Sequence, residues 1–96
     1  MTLVHNSVTV PATTATVIAT IPGGNPLTCV HVSNSDSAAI FVGDSTISNS
    51  GADKGAKISA AGALDIWLNS GDSLYAYSVA GTSANAVAVL FSKVVA

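Results

Sequence analysis

The chain has 96 residues, 49% of them hydrophobic and 8% charged, with a formal net charge of −2, three Lys and no Arg, Glu or Gln. That length holds one small domain with a modest core, and the absence of clustered positive charge argues against nucleic acid as a partner. The longest late uncharged stretch, Ser73 to Ser92, is interrupted by Gly81-Thr82-Ser83 and Asn85, so it does not read as a membrane span, and the N-terminus lacks the basic residues and apolar block of a signal peptide.

Val, Ile, Thr and Tyr recur in short runs between Gly, Asn, Asp, Ser and Pro, which is strand composition. The sequence predicts a first strand in "TLVHNSVTV", ended by Pro11, and a second in "TATVIATIP", ended by Pro22-Gly23-Gly24. A third is "LTCVHVSN", a fourth "AAIFVG", a fifth "ALDIWLN", a sixth "SLYAYSVA" and a seventh "AVAVLFSKVV". Between the fourth and fifth runs a long polar connection, Ser45 to Gly62, with room for a short eighth strand around Lys57-Ile58. This density of turns predicts an all-β fold: a single antiparallel β-sandwich or jelly-roll-like barrel of seven to eight strands spanning residues 1–96.

Period-2 alternation assigns faces. Tyr75, Tyr77 and Val79 are expected on the core face of the sixth strand, and Val87, Val89 and Phe91 on that of the seventh, the two strands forming a hairpin around "AGTSAN". In the fifth strand Leu64, Ile66 and Leu68 point one way, and Asp65 and Trp67 the other. Trp67 reads either as a tryptophan at the core rim or as an interface anchor. The candidate interface residues are Val4, Val8, Phe41 and Trp67.

Gly71-Asp72-Ser73-Leu74 spells the nucleophile signature of the GDSL esterases. A serine nucleophile needs a His to accept its proton and an Asp to orient that His. Here "YAYSVAG", an alternating strand, follows the motif, and His5 and His31 both precede it. The letters fit a turn better: Gly supplies a positive φ and Asp bonds nearby backbone amides, a device used again at Gly43-Asp44-Ser45. Cys29 and His31 share a strand face, but two ligands do not make a zinc site, and the five Asp stand singly, unlike a calcium loop. The reading is of a protein with no catalytic, metal or cofactor site.

From Val30 to Val94 the order of elements resembles a pattern in small structural proteins of tailed bacteriophages. The matching pieces are Asn34-Ser35, Ile40 to Gly43, Gly51, Ala61-Gly62, Asp72 to Ala76, Gly81-Thr82 and Val87 to Leu90. The resemblance implies a virion β-sandwich, a capsid decoration (cement) protein. Such a protein commonly forms a homo-oligomer, with a trimer favoured, at the capsid surface and ties neighbouring major capsid proteins together. The same module also occurs in head–tail and tail positions. Residues 1–21 then read either as a strand added to a neighbour's sheet edge or as an ordinary edge strand of the same subunit. Two other function classes stay open: a carbohydrate- or receptor-binding module using Trp67, Tyr75 and Tyr77, and the esterase.

Overall fold

A computed structural model of the chain describes residues 2–48 and 55–93. The strands among these residues are β1 (Thr2–Val8), β2 (Thr16–Thr20), β3 (Thr28–Asn34), β4 (Ile40–Gly43), β5 (Ala56–Ile58), β6 (Ala63–Leu68), β7 (Ser73–Tyr77) and β8 (Val87–Lys93). Sheet 1 has the order β1-β8-β3-β6 and sheet 2 the order β2-β7-β4-β5. The antiparallel pairs β1·β8, β2·β7, β3·β6 and β4·β5 join strands equally distant from the middle of the chain. A long hairpin folded at β4–β5, with successive pairs laid alternately into two sheets, is the eight-stranded jelly roll. The fold is all-β, a small sandwich of two four-stranded sheets.

All seven strand runs read from the sequence are present, and β5 is the short strand at Lys57-Ile58. Positions 49–54, which include Gly51 of the phage-like pattern, and Val94-Val95 of the last predicted strand lie outside the described residues. The expected hairpin of the last two strands does not form. β7 lies in sheet 2 between β2 and β4, while β8 lies in sheet 1 between β1 and β3. The connection between them therefore crosses the sandwich. It runs beside the β1–β2 crossover, which it holds through Thr13 N–H to Ser78 O (2.8 Å), Thr82 N–H to Val10 O (2.9 Å) and Val10 N–H to Thr82 Oγ1 (2.9 Å).

The core lies between the sheets. Val30, Val32, Val87, Val89 and Phe91 fill it from sheet 1, and Ile18, Ile40, Val42, Ile58, Leu74 and Ala76 from sheet 2. The expected core face of the last strand is as observed, but that of β7 is inverted. Leu74 and Ala76 face the core; Tyr75 and Tyr77 face away from it, and Val79 is exposed beyond the strand. The cause is two-sided burial. Phe41, Tyr77 and Ile47 make a second apolar cluster, with Ala15 and Tyr75 against it, so the large aromatics are covered on the far side of sheet 2. Side-chain size alone cannot tell two covered faces apart. Ala76 in turn leaves room for the bulky residues of the facing sheet.

Buried polar groups tie the crossovers at one end of the sandwich. Asn34 closes β3 and is fully covered. Its Nδ2 donates to the carbonyls of Ala38 (2.9 Å), Ile58 (3.3 Å) and Ser59 (3.3 Å), and its Oδ1 accepts the Asp36 N–H (3.0 Å). Asp36 Oδ1 accepts the Ser83 N–H and hydroxyl, both at 2.9 Å, and Oδ2 accepts the Ala38 N–H at 3.2 Å. The Ser83 backbone bond, then the Ser83 hydroxyl and the Ala38 amide, hold the Asp36 carboxyl below its ordinary value of 3.8. A depressed carboxyl stabilises the fold above its unfolded pKa, and that stability is lost as pH falls through the folded value. Thermal melts are thus expected to change little for this reason between pH 7 and 5 and to fall below pH 3.8, and Asp36→Asn is expected to flatten that acid limb. An acid limb equally steep in Asp36→Asn would show that the Ser83 contacts are not the linked group.

The Gly71-Asp72 signature is the β6–β7 turn. Gly71 has φ +83°, the Asp72 N–H bonds Asn69 O at 3.0 Å, and Asp72 Oδ2 accepts the Asn69 N–H at 2.8 Å. A positive φ at the third position is what a type II turn requires. At Gly43-Asp44-Ser45 only the aspartate half of the device recurs. Asp44 Oδ1 accepts the Thr46 N–H at 2.9 Å, while Gly43 ends β4 outside the positive-φ region.

Among the described residues one buried polar side-chain atom is unmatched: Ser78 Oγ is fully covered and has no hydrogen-bond partner there. An unpaired buried hydroxyl costs about 1–3 kcal/mol relative to solvent. Ser78→Ala is therefore expected to leave the melting temperature unchanged or raise it, as differential scanning calorimetry would read directly.

Candidate functional site: the outer face of sheet 1

The two outer faces of the sandwich differ. On sheet 2, Ile47 from the β4–β5 connection packs with Phe41 and Tyr77, so that face carries its own apolar cover. On sheet 1 the outward positions alternate with the core residues and stay open: Leu3, His5 and Ser7 on β1; Ala88, Leu90 and Ser92 on β8; Cys29, His31 and Ser33 on β3; Ala63, Asp65 and Trp67 on β6. Leu3 is 64% exposed, Trp67 63% and Leu90 42%, beside mostly small neighbours. Large apolar groups on a flat face with little charge mark a contact surface more than a catalytic one.

The strand registers order this face into rows. His5 pairs with Leu90, Leu90 with His31, and His31 with Asp65, a row across all four strands. Ser7, Ala88, Ser33 and Ala63 make the next row. At the end of the first, His31 Nδ1 and Asp65 Oδ1 are 2.7 Å apart on exposed side chains. An exposed pair of this kind adds at most about 1 kcal/mol to the fold. Two shallow depressions flank the row. One of about 300 Å³ lies between His5, His31 and Leu90, and one of about 240 Å³ lies beside Leu27, Cys29 and Trp67.

The four interface candidates fall in different places. Trp67 stands in the open on this face, opposite Cys29. Val4 and Val8 are half-buried on β1, packed against the core from the edge of the sheet. Phe41 is buried in the outer cluster of sheet 2, covered within the chain itself. The His31–Asp65 pair was not legible from spacing, because it depends on which strand pairs with β3. A signal for its row was present all the same. Thr2-Leu3-Val4-His5-Asn6-Ser7 and Thr28-Cys29-Val30-His31-Val32-Ser33 share Thr, Val, His and Ser at the same positions.

The esterase letters lead elsewhere. Ser73 lies in sheet 2 and its Oγ is 3.0 Å from Thr20 Oγ1 across β2 and β7, while His5 and His31 stand on sheet 1. Among the described residues no three His, Cys, Asp or Glu side chains converge as a metal set, and no helix is long and apolar enough to cross a membrane. Family models, curated proteins and solved structures were each compared with this chain, and none matches it.

Proposed function

We propose that this chain is a structural subunit of a phage virion: a capsid decoration protein that assembles with copies of itself, as a trimer for preference, and binds neighbouring major capsid proteins at the capsid surface. The observation that carries the reading is the uncovered outer face of sheet 1, with Leu3, Leu90 and Trp67 exposed. A cement subunit needs contact area repeated over many copies, so modest individual contacts suffice. It needs no catalytic group. The jelly roll serves viral shells and lectins alike, so the fold by itself does not choose between them. The sugar-binding alternative is the weaker one because Tyr77 is buried and Tyr75 half-buried, leaving Trp67 as the exposed aromatic among the described residues.

The test is co-sedimentation with undecorated phage heads, alongside light scattering of the free protein. Saturable binding is expected, and Trp67→Ala is expected to weaken it by about 30-fold, the effect of losing a hot spot of ~2 kcal/mol. At concentrations where the subunits are apart, the melting temperature of that variant should barely move, since Trp67 is 63% exposed in the single chain. A clean monomer that ignores the heads would overturn the proposal.

A further inference from the structure

Among the described residues sheet 1 has two open edges, β1 and β6. Natural sheets blunt such edges with bulges, short strands, Pro or Lys. Sheet 2 does so on both sides: β2 carries a register shift between Val17 and Ala19, and β5 has three residues including Lys57. The β1 edge carries none of these devices. It runs seven residues, Thr2–Val8, without Pro or Lys and in unbroken register with β8. β6 runs six residues, also in unbroken register with β3, and its charge is the single Asp65.

The repeated Thr-x-Val-His-x-Ser strand says what the open edges fit. β3 carries the motif and is paired on both sides, with β8 at His31–Leu90 and with β6 at His31–Asp65. β1 carries the same motif in the same register against β8, at His5–Leu90, and has no second neighbour among the described residues. The strand directions alternate through β1, β8, β3 and β6, so a β1 placed beyond β6 continues the antiparallel pattern.

We infer that β1 of one copy pairs antiparallel with β6 of a second copy, His5 lying opposite Asp65, so that sheet 1 runs on from subunit to subunit. This register repeats across the contact the step that sets β3 against β8. Asp65 already holds His31 through Oδ1 at 2.7 Å and is 64% exposed, so a second imidazole on its other side adds a donor to an acceptor-only group. The same register brings Leu3 opposite Trp67 on the outer face, covering the two most exposed large apolar side chains among the described residues. On the inner face it sets Val4 against Ile66, both half-buried at the edges of the core. Each edge offers what the other lacks, which favours a second copy over an unrelated strand. A head-to-tail contact of this kind closes into a ring when its rotation allows, as a trimer requires. The inference rests on the self-association proposed above.

The register is tested by cross-linking in a Cys29→Ser background. Ser7 and Ala63 come opposite each other only between copies; within one chain they stand three strands apart, about 14 Å at strand spacing. Ser7→Cys/Ala63→Cys, treated with a short bismaleimide, is expected to give a ladder ending at the size of the closed ring, and each single variant alone no ladder. Asp65→Lys should weaken association by about five-fold or more by removing the carboxylate that accepts from the two rings, and adding His5→Asp should restore it by setting opposite charges across the contact. No ladder in the double variant, or a ladder from a single variant, overturns this contact. The sedimentation assay judges the decoration reading separately: head binding without the ladder leaves that reading standing and removes this one.

Discussion

Leu74→Ala is expected to lower the unfolding free energy by about 3 kcal/mol, and Tyr75→Ala by about 1 kcal/mol. Leu74 is 2% exposed and packs in the main core with Ile40, Val42 and Val89, so its truncation leaves a cavity that a close-packed interior closes only in part. Tyr75 is half-buried at the margin of the outer cluster, where solvent can fill the space it leaves. A domain of this size has a total stability of about 5–15 kcal/mol and loses roughly 4–8 °C per kcal/mol. The leucine variant should therefore melt about 12–24 °C lower, and the tyrosine variant a few degrees lower. Chemical denaturation of the pair decides which face of β7 is the core face. A larger loss for Tyr75→Ala would mean that the tyrosine face, and not the leucine face, meets sheet 1.

Asn34→Ala is expected to cost about 3 kcal/mol, the effect of a core truncation at a polar residue. One amide serves four backbone groups: the carbonyls of Ala38, Ile58 and Ser59 and the N–H of Asp36. Those groups belong to the β3–β4 crossover and the β5–β6 corner, and removing the amide takes a partner from each of them, although Ser59 O keeps the Gly62 N–H at 2.9 Å. The three carbonyls also fix which end of the side chain is nitrogen, since only an NH2 group can donate to them. Asn34→Asp should accordingly be worse than Asn34→Ala at neutral pH, because a carboxylate meets three acceptors with no proton to give. Equilibrium unfolding in urea measures both. An Asn34→Ala variant within ~0.5 kcal/mol of the parent would remove the network from any account of stability.

Self-association and the acid limb are expected to be independent of each other. Asp36 lies in the crossover network and Asp65 on the outer face of sheet 1, so their effects should separate: Asp36→Asn alters the acid melt, and Asp65→Lys alters assembly.

Much of the fold was legible in the residues themselves. Alternation and turn chemistry marked every long strand, because a strand's two faces and a turn's positive φ are set by neighbours within a few positions. Gly71 and Asp72 show this best: the turn they form is written in four consecutive residues, and its bonds to Ile21 and Gly24 fasten a bend that is already set locally. The sequence also showed which face of β6 carries Asp65 and Trp67, and which face of β8 carries Val87, Val89 and Phe91.

Tertiary structure alone decided the partners. Folding the chain as one long hairpin about β4–β5 puts β7 and β8 into different sheets, which no local pattern encodes. It also decided that both faces of β7 are covered, so that Tyr75 and Tyr77, the larger residues, point away from the main core. The His31–Asp65 pair and the row that begins at His5 exist only once β8, β3 and β6 are laid side by side. Strand identity is a short-range property of the chain, whereas strand neighbours are chosen by which pairing buries the most apolar surface over the whole molecule.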